Sequence, residues 1–370
     1  MSNPLVELKE FGQSVWLDNI SRAIIKKNEL KRLIEEDGLG GVTSNPSIFQ
    51  KAMTDTSDYD GQIIDLLSKN NNLSPKELFE KLAVKDIQDA ADVLLTVYDK
   101  TNGVDGYVSL EVSPELAYDT KGTIEEARRL FKKVGKKNVM IKIPATQEGL
   151  PAIEQMIYEG VNINVTLIFS PKVYQQVVEA YLKGLERRVK ENKDISSISS
   201  VASFFISRID TAVDNELEEN GNDDLKGKIA IANAKLVYKS SEEIFSNNRF
   251  ISLKNKGAKV QRLLWASTST KNPSYYDTLY IDELVGKNTV NTIPPSTMTA
   301  FKDHGKITDA IHNNISLAEE QMSKLSSLSI DFEKITHKLT TEGVDLFVDS
   351  YRKLVSAIEK KKEEISAKVN

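Results

Sequence analysis

The chain alternates short apolar segments with longer segments of helical periodicity, and this pattern leaves few possible architectures. The eight short segments are SVWLD (14–18), GGVTSN (40–45), GYVSLEV (106–112), NVMIKI (138–143), INVTLIF (163–169), SVASFFI (200–206), VQRLLWAS (260–267) and NTVNTI (288–293). Strands that alternate with helices indicate a parallel sheet with crossover helices. Eight is also the number of parallel strands in a closed (β/α)8 barrel. We therefore predict an α/β fold, a (β/α)8 TIM barrel with additional N- and C-terminal helices.

Two helix starts are visible where a strand gives way to a helix. Asn45 and Ser170 each place an N-cap side chain directly before a proline at the first helical position. After the eighth segment the sequence turns helical, first in SLAEEQMSKLSSL and then in a long stretch from about Asp331. We expect residues 1–370 to form a single catalytic barrel domain, with residues 317–370 as a helical extension packed on the barrel.

Within the short segments, polar and apolar residues alternate with a period of two. In GYVSLEV, for example, Ser109 and Glu111 oppose the apolar residues. Such alternation usually marks an antiparallel sheet with one face in water, but helices between all the segments argue against that arrangement. In a closed barrel the polar face points inwards, and active sites lie at the C-terminal strand ends. The polar residues near these ends are Asp18, Asn45, Glu111, Lys142, Asn164, Thr166 and Ser203.

Lys142 interrupts the apolar segment NVMIKIP, where an unpaired buried ammonium ion would be unstable. Two uses stay open at this point: an ion pair with a carboxylate, or a nucleophilic amine that forms a Schiff base. A free lysine, with a pKa of about 10.4, is almost fully charged at pH 7, and desolvation favours the neutral amine. Glu111 and Asp18 would serve in proton transfer or as counterions. Asn45 is similarly either a helix cap or a substrate contact.

Composition narrows the chemistry. The chain has no cysteine, which excludes disulfides, thiolate nucleophiles and cysteine-ligated metals. Its three histidines, His304, His312 and His337, lack the spacing of a metal site. The glycine-containing stretches DGLGGVTS and GKNT fit neither nucleotide-binding motif. We therefore expect neither a metal nor a cofactor.

Charge and hydropathy suggest which partners to expect. The net charge is −5 and no basic patch is present, which argues against nucleic acid as a partner. No apolar run is long enough for a signal peptide or a membrane span. We expect a cytoplasmic protein that binds neither nucleic acid nor membranes.

Six motifs resemble those of the transaldolases, particularly the longer subgroup of that family. In chain order they are GVTSNPSIF, VSLEVSPELAYDT, VMIKIPAT, NINVTLIFS, SFFISRID and LLWASTSTKNPSYYDTLY. The match extends from about Ser14 to Pro294. It implies a barrel enzyme of the pentose phosphate pathway that uses a Schiff-base lysine and neither metal nor cofactor. The partners would be sugar-phosphate substrates, and the chain would be a monomer or a homodimer.

The resemblance also implies roles for individual residues. Lys142 would attack C2 of a ketose phosphate such as sedoheptulose 7-phosphate or fructose 6-phosphate. Glu111 and Thr166 would handle the catalytic water, while Asp18 would take the proton of the C4 hydroxyl so that the C3–C4 bond breaks. The dihydroxyacetone unit would then pass to glyceraldehyde 3-phosphate or erythrose 4-phosphate. The residues that match substrate-binding positions are Thr43, Asn45, Asn164, Ser203 and Phe205.

Phosphate binding is implied for Arg208, Ser267 and Lys271. An arginine suits this role because its planar fork donates two parallel hydrogen bonds. Shorter transaldolases commonly have a second arginine soon after the serine, but this chain has TSTKNP there, and we assign the role to Lys271. Two alternatives are a fructose-6-phosphate aldolase-like enzyme, whose relatives are much shorter, and a non-catalytic sugar-phosphate binding barrel. The lysine and its two carboxylates argue against the second alternative.

Overall fold

Eight parallel strands form a closed barrel in the order in which they occur along the chain. The structure is a computed structural model that describes residues 3–54 and 56–369. The strands are β1 (Gln13–Leu17), β2 (Gly41–Val42), β3 (Tyr107–Glu111), β4 (Val139–Pro144), β5 (Ile163–Ile168), β6 (Ser200–Phe205), β7 (Arg262–Ala266) and β8 (Thr289–Ile293). Strand β1 pairs with both β2 and β8, which closes the sheet. The predicted (β/α)8 barrel is confirmed.

Sixteen α-helices occur in the described part of the chain. They are α1 (Pro4–Phe11), α2 (Arg22–Lys26), α3 (Glu29–Asp37), α4 (Pro46–Thr54), α5 (Asp60–Lys69), α6 (Pro75–Lys100), α7 (Thr120–Val134), α8 (Gly149–Glu159), α9 (Pro171–Lys190), α10 (Ser207–Glu219), α11 (Ile229–Ser246), α12 (Asn248–Lys254), α13 (Leu279–Asp282), α14 (Pro295–His304), α15 (Ile315–Ser327) and α16 (Phe332–Val369). Helix α1 precedes the barrel, and α15 and α16 follow it.

The predicted helix starts have the expected caps. The Asn45 Oδ1 atom accepts a hydrogen bond from the Ile48 amide at 3.0 Å, at the start of α4. The Ser170 hydroxyl does the same for the Val173 amide at 3.3 Å, at the start of α9. Each cap satisfies an amide that has no partner within its helix. Both helices therefore begin directly beyond the C-terminal end of a strand, which brings the cap residues to the mouth of the barrel.

The polar face of the strands lies inside the barrel and is dry. The Asn164 amide group donates to the Ser109 hydroxyl at 3.0 Å and accepts from the Ser203 hydroxyl at 2.7 Å, which links β3, β5 and β6. All three side chains are buried. Buried polar groups need such partners because an unpaired one costs about 1–3 kcal/mol. A half-solvated antiparallel sheet is therefore excluded.

One predicted strand is much shorter than expected. The segment 40–45 predicts a strand of about six residues, but only Gly41 and Val42 pair in the sheet. Gly41 packs beneath the Trp16 ring, since a Cβ atom there would lie 2.6 Å from the ring. Beyond Val42 the chain leaves the sheet, and the Ser44 hydroxyl donates to the Ser109 carbonyl at 2.7 Å. The close approach of the ring explains the glycine, and the early exit brings the next residues over the barrel.

An ion-paired cluster closes the N-terminal end of the barrel. Asp105, just before β3, accepts hydrogen bonds from the Ser14 hydroxyl at 2.6 Å and the Trp16 indole at 3.0 Å. The Arg262 guanidinium, at the start of β7, contacts the same carboxylate at 2.9 Å. These contacts tie three strands together at the end where conserved interactions in barrel enzymes serve stability rather than catalysis.

Helix α16 crosses the opposite, C-terminal end of the barrel. It packs against α4, α5, α6, α10 and β5. The Ser350 hydroxyl shares a hydrogen bond of 2.8 Å with that of Ser47, and the Lys361 ammonium pairs with Asp60 at 2.8 Å. Gly343 permits close approach to β5, because a Cβ atom there would lie 2.8 Å from the Leu167 side chain. Helix α15, by contrast, packs against α11 on the outside of the barrel.

Candidate active site

Three neighbouring strands bring Glu111, Lys142 and Asn164 to one level of the barrel. In the strand register Lys142 pairs with Glu111 on one side and with Asn164 on the other. The Lys142 Nζ atom lies 3.4 Å from Glu111 Oε2 and donates a hydrogen bond of 3.3 Å to the Ser44 carbonyl. The lysine is only 5 % exposed. The sequence left open whether Lys142 is paired or reactive, and this geometry allows both.

Two carboxyl groups flank the lysine: Glu111, whose side chain is 6 % exposed, and the partly buried Asp18. Burial raises the pKa of Glu111, an effect that the Lys142 charge opposes and the nearby Asp18 charge reinforces. Burial likewise raises the pKa of Asp18, against the lowering effects of Lys142 and of the Thr43 hydroxyl, which donates to Asp18 at 2.7 Å. Carboxyl groups with raised pKa values exchange protons more readily near neutral pH than exposed ones. The pair is therefore suited to acid and base roles on either side of an amine.

Two buried oxygen atoms near the lysine have unused hydrogen-bonding capacity. Neither Glu111 Oε2 nor Thr166 Oγ1 forms a hydrogen bond with any residue of the described ranges. Glu111 Oε2 lies 3.4 Å from the Lys142 ammonium as an ion pair. Buried polar atoms are rarely left without a partner in folded proteins. Both oxygens are thus available to a reacting molecule.

Hydroxyl and amide side chains occupy the rest of the mouth. Thr43 Oγ1 shares a hydrogen bond of 2.6 Å with Thr292 Oγ1 in addition to its bond to Asp18. Asn45 is partly exposed despite capping α4. Ser203 borders the cavity and anchors Asn164, which lies fully buried beneath it. These groups would hydrogen-bond to a polyhydroxylated ligand.

A positive region lies on the far side of the mouth. Helix α10 begins there with Ser207, whose hydroxyl shares a 2.8 Å hydrogen bond with that of Ser267. Arg208 follows at the first turn of the helix, and Lys271 extends from the loop after β7, donating to the Ser269 hydroxyl at 2.9 Å. Burial lowers the pKa of Arg208, and burial together with the Arg208 charge lowers the pKa of Lys271. Loss of water contacts disfavours each charge, and the Arg208 charge further disfavours that of Lys271.

In the described residues neither cation has an ion-pair partner within 4.0 Å, although Glu342 acts on Arg208 and Asp18 acts on Lys271 from farther away. A helix N-terminus also favours negative charge, because its first amide groups have no partner within the helix. Arg208 packs over the Phe205 ring, at 5.4 Å from the ring centroid. The region is therefore built to bind an anion, which would supply the missing negative charge.

A cavity of about 130 Å³ joins these regions. Ten of the twelve site residues predicted from the sequence line it: Asp18, Thr43, Asn45, Lys142, Thr166, Ser203, Phe205, Arg208, Ser267 and Lys271. The other two adjoin it, since Glu111 contacts Lys142 and Asn164 contacts Ser203. The predicted residues thus converge on one cavity at one end of the barrel.

The sequence missed one aromatic residue of the site. Phe347, from α16, lines the cavity, and its ring centroid lies 5.6 Å from the Lys142 ammonium. Its side chain is almost fully buried. The one available signal was Gly343, a glycine inside a long helical pattern, which indicates close packing. Helix periodicity alone places Phe347 on an apolar face without saying what that face covers.

A larger cavity, of about 520 Å³, lies between α6 and α7. Several of its charged side chains pair with each other, as Lys76 does with Glu115 and Arg129 with Glu80. Glu111 and Asn45 border both this cavity and the region of the mouth. We assign the site to the smaller cavity because, in the described residues, its two cations have no close ion-pair partner and its lysine lies between two carboxyl groups.

The described residues include no group of three or more histidine, aspartate and glutamate side chains arranged to hold a metal ion. In the same part of the chain, no helix combines the length and the apolar character required to cross a bilayer.

Comparison with known proteins gives consistent matches over nearly the whole chain. Residues 15–358 match the family model described as transaldolase/fructose-6-phosphate aldolase. The chain is 46 % identical to transaldolase 2 of Nostoc sp. (strain PCC 7120) over 373 residues, 97 % of each chain. It is 44 % identical to the transaldolase of Trichodesmium erythraeum, covering 99 % of each chain. It is 47 % identical to that of Acidothermus cellulolyticus, over 97 % of this chain and 96 % of the relative.

Proposed function

The chain belongs to the transaldolase/fructose-6-phosphate aldolase family and is an enzyme of the transaldolase type, and from this we propose that it transfers a dihydroxyacetone unit between sugar phosphates through a Schiff base on Lys142. The donor would be sedoheptulose 7-phosphate or fructose 6-phosphate. The acceptor would be glyceraldehyde 3-phosphate or erythrose 4-phosphate. The three relatives named above are all called transaldolases, which favours transfer over simple cleavage.

The observation that carries the proposal is the position of Lys142. Its amine is buried at the barrel mouth, 3.4 Å from one carboxylate and close enough to a second to lower that group's pKa. A lysine that served only in a structural ion pair would need one carboxylate partner, and its amine would not need to border a cavity. Here the amine also borders a cavity with an anion-binding end. A nucleophile beside proton carriers and an anion site suits attack on a phosphorylated ketose.

The first stage is imine formation. Lys142 passes its ammonium proton to Glu111, and the resulting amine adds to the C2 carbonyl to give a carbinolamine, which loses water to form the protonated imine. Glu111 donates the proton that lets hydroxide leave as water, then takes a proton back when water returns. The free oxygens of Glu111 and Thr166 support this role because both can bond to the water.

The second stage is carbon–carbon cleavage. Asp18 takes the proton of the C4 hydroxyl, the C3–C4 electron pair moves into the imine, and an aldose phosphate leaves. An enamine of dihydroxyacetone remains on Lys142 and attacks the aldehyde of the acceptor, returning the proton through Asp18. The raised pKa of Asp18 supports this role, because a more basic carboxylate accepts an alcohol proton more readily.

Binding energy would come mainly from the two ends of the ligand. The phosphate group would lie between Arg208, Lys271 and the Ser267 hydroxyl, where two cations lack carboxylate partners within the described chain. The dihydroxyacetone hydroxyls would bond to Asn45, Ser203 and their neighbours. Fixing both ends places C2 beside the amine, which replaces a bimolecular encounter with a positioned one.

Borohydride trapping tests the covalent step. The protein is incubated with fructose 6-phosphate, reduced, digested and analysed by mass spectrometry. We expect a reduced three-carbon or six-carbon adduct on the peptide that contains Lys142. An adduct on another lysine, or none, would contradict the proposal.

Product analysis distinguishes transfer from cleavage. With fructose 6-phosphate and erythrose 4-phosphate, a transaldolase gives a seven-carbon ketose phosphate and glyceraldehyde 3-phosphate. An aldolase would release free dihydroxyacetone as the sole three-carbon product from the enamine. A binding protein would produce neither. We expect the seven-carbon ketose as the main product.

A further inference from the structure

Helix α10 carries a buried carboxylate, Asp214, in addition to Arg208. Asp214 lies six residues after Arg208 on the same helix and is buried to 8 % exposure. Its Oδ2 atom accepts a hydrogen bond of 2.6 Å from the Tyr275 hydroxyl, and its Oδ1 atom accepts one of 3.0 Å from the Gly227 amide. No step of the proposed reaction uses this carboxylate. Its partner belongs to the loop between β7 and α13, which also carries Lys271.

A tight turn connects Lys271 to Tyr275. The Tyr275 amide donates to the Asn272 carbonyl at 3.1 Å, and the Ser274 amide donates to the Asn272 side chain at 2.9 Å. Residues 271–274 are exposed, and the side-chain hydrogen bond of Lys271 goes to Ser269 of the same loop. A displacement of Tyr275 would therefore move Lys271, because only three residues in one turn separate them.

The Tyr275 ring is tightly packed. It lies against Gly227, where a Cβ atom would come within 2.7 Å of the ring. Gly227 also has a φ angle of +70°, a conformation that disfavours other residues. The ring is thus held on one side by a glycine and at its hydroxyl by Asp214. Ring packing together with a hydrogen bond fixes the position of the loop more closely than an exposed ion pair does.

Other contacts hold the two ends of the same loop. At the start, Ser267 bonds to Ser207 through both side chain and backbone. Beyond the loop, in α13, the Tyr280 hydroxyl donates to Asp210 of α10 at 2.9 Å. Within the described part of the loop, the Thr268 hydroxyl bonds to Asn291 of β8 at 3.0 Å before Lys271, and Tyr275 bonds to Asp214 of α10 after it.

We propose that Asp214 is a positioning residue for phosphate binding: by holding Tyr275, it fixes Lys271 at the distance from Arg208 that one phosphate group can bridge. This inference rests on the proposed function, because it assumes that the two cations bind the phosphate of the substrate. Without the tie, the loop can carry Lys271 away from Arg208, whose charge repels it. The lysine and arginine would then bind phosphate one at a time.

The central test uses Tyr275→Phe, which removes the hydroxyl and keeps the ring packed against Gly227. We expect the dissociation constant for inorganic phosphate, measured by calorimetry on the full chain, to rise about tenfold, the usual effect of losing a hydrogen bond to a charged group. The KM for the ketose phosphate should rise similarly, with little change in kcat. Tyr158→Phe is the matched control, because Tyr158 bonds to the exposed Glu191 far from the mouth. It should leave both constants unchanged.

A double-mutant cycle separates positioning from general stability. Asp214→Ala should weaken phosphate binding as much as Tyr275→Phe, and the double variant should be no worse than either single one. Asp214→Asn keeps an oxygen for Gly227 and a polar group for Tyr275, so it should restore most of the affinity. Additive losses, or a lower melting temperature with unchanged phosphate affinity, would show that Asp214 only stabilises the fold.

The outcomes also separate this inference from the proposed function. If wild-type protein binds phosphate and transfers dihydroxyacetone but the variants match it, Asp214 has no positioning role and the proposed function stands. If wild-type protein fails to bind phosphate, the inference is overturned, and borohydride trapping on Lys142 still decides the proposed function separately.

Discussion

Lys142 lies between two carboxyl groups, and the buried Glu111 depends on its charge. The lysine lowers the pKa of Glu111 against the effect of burial. Removing the lysine would leave the Glu111 side chain beside Asp18 without its counterion, and protonation would be the least costly response. The fold can therefore tolerate the loss of this ion pair, because a neutral carboxyl group is stable where an unpaired carboxylate is not.

Lys142→Ala should abolish both turnover and borohydride trapping while the protein stays folded. Circular dichroism and a melting curve check the fold, and mass spectrometry checks the adduct. Lys235→Met is the matched control, because Lys235 is equally buried and pairs with Glu283 at 3.3 Å outside the mouth. It should keep turnover. Unfolding of Lys142→Ala, with Lys235→Met stable, would instead indicate a structural ion pair.

Asp18→Asn should lower kcat by about 10²–10⁴-fold, the usual range for one acid or base group. The adduct on Lys142 should still form, because imine formation precedes the step assigned to Asp18. An amide can accept the hydrogen bond from Thr43, so the local structure should persist. Loss of the adduct would place Asp18 in the first stage of the reaction.

The Asp18→Asn substitution should also change how the stability of the fold depends on pH. Burial raises the pKa of Asp18 in the folded protein above its ordinary value of about 3.9. The folded state then binds this proton more tightly than the unfolded state, so stability falls as pH rises through the folded pKa. Asp18→Asn cannot ionise and should melt at a higher temperature than wild type at pH 8. The difference should shrink as the pH approaches 4, and a lower melting temperature at pH 8 would contradict it.

At the scale of elements, α16 forms the roof of the site. Its Phe347 lies over Lys142, and its Gly343 lets the helix approach β5 and Arg208. Strand β5 is irregular at this point: Leu167 has a φ angle of 60°, and the register with β6 shifts between Val165 and Ile168. Irregular strand ends are common beside active sites, where they redirect side chains. Helix α16 and the C-terminal end of β5 therefore pack closely against each other.

Phe347→Leu should increase the release of free dihydroxyacetone relative to transfer. A smaller side chain opens the roof, so water and product would exchange more freely at the enamine on Lys142. Product ratios with and without erythrose 4-phosphate measure this directly. Phe250→Leu, a fully buried change on α12, controls for lost packing. An unchanged ratio in Phe347→Leu would show that the roof does not retain the intermediate.

Much of the site could be predicted because the barrel converts sequence position into spatial position. Strand alternation determines which side chains face inwards, and strand order determines which become neighbours. Glu111 and Lys142 were expected together on this basis, and the register pairs them directly. Lys271 needed the family resemblance as well, because loop residues follow no period. Phe347 could not be predicted, because helix periodicity does not specify which surface α16 covers.

At the scale of the whole molecule, we propose that residues 1–370 fold as one domain in which α15 and α16 pack on the barrel. Contacts between α16 and α4, α5, α6, α10 and β5 support this. Urea unfolding followed by tryptophan fluorescence reports on the barrel, since Trp16 and Trp265 lie in β1 and β7. Far-ultraviolet circular dichroism reports on all helices. We expect coincident transitions, and an earlier loss of helix signal would indicate a separable extension.

The two ends of the barrel should respond differently to mutation. Asp105→Ala removes a buried carboxylate that binds Ser14, Trp16 and Arg262, so it should cost about 3–5 kcal/mol of unfolding free energy. Turnover by the folded fraction should stay the same, because the cluster lies at the opposite end from Lys142. Asp92→Ala, which breaks only the exposed pair with Lys136, should cost less than about 1 kcal/mol. Equal costs would contradict the assignment of this cluster to stability.

The order of elements along the chain has a consequence for biosynthesis. The sheet is complete in sequence at Ile293, whereas Phe347 follows only in α16. A ribosome therefore finishes the barrel, including Lys142 and its carboxyl partners, before it makes the roof. During that interval the nascent chain has no roof over the Lys142 amine, and the apolar rim that α16 later covers stays exposed.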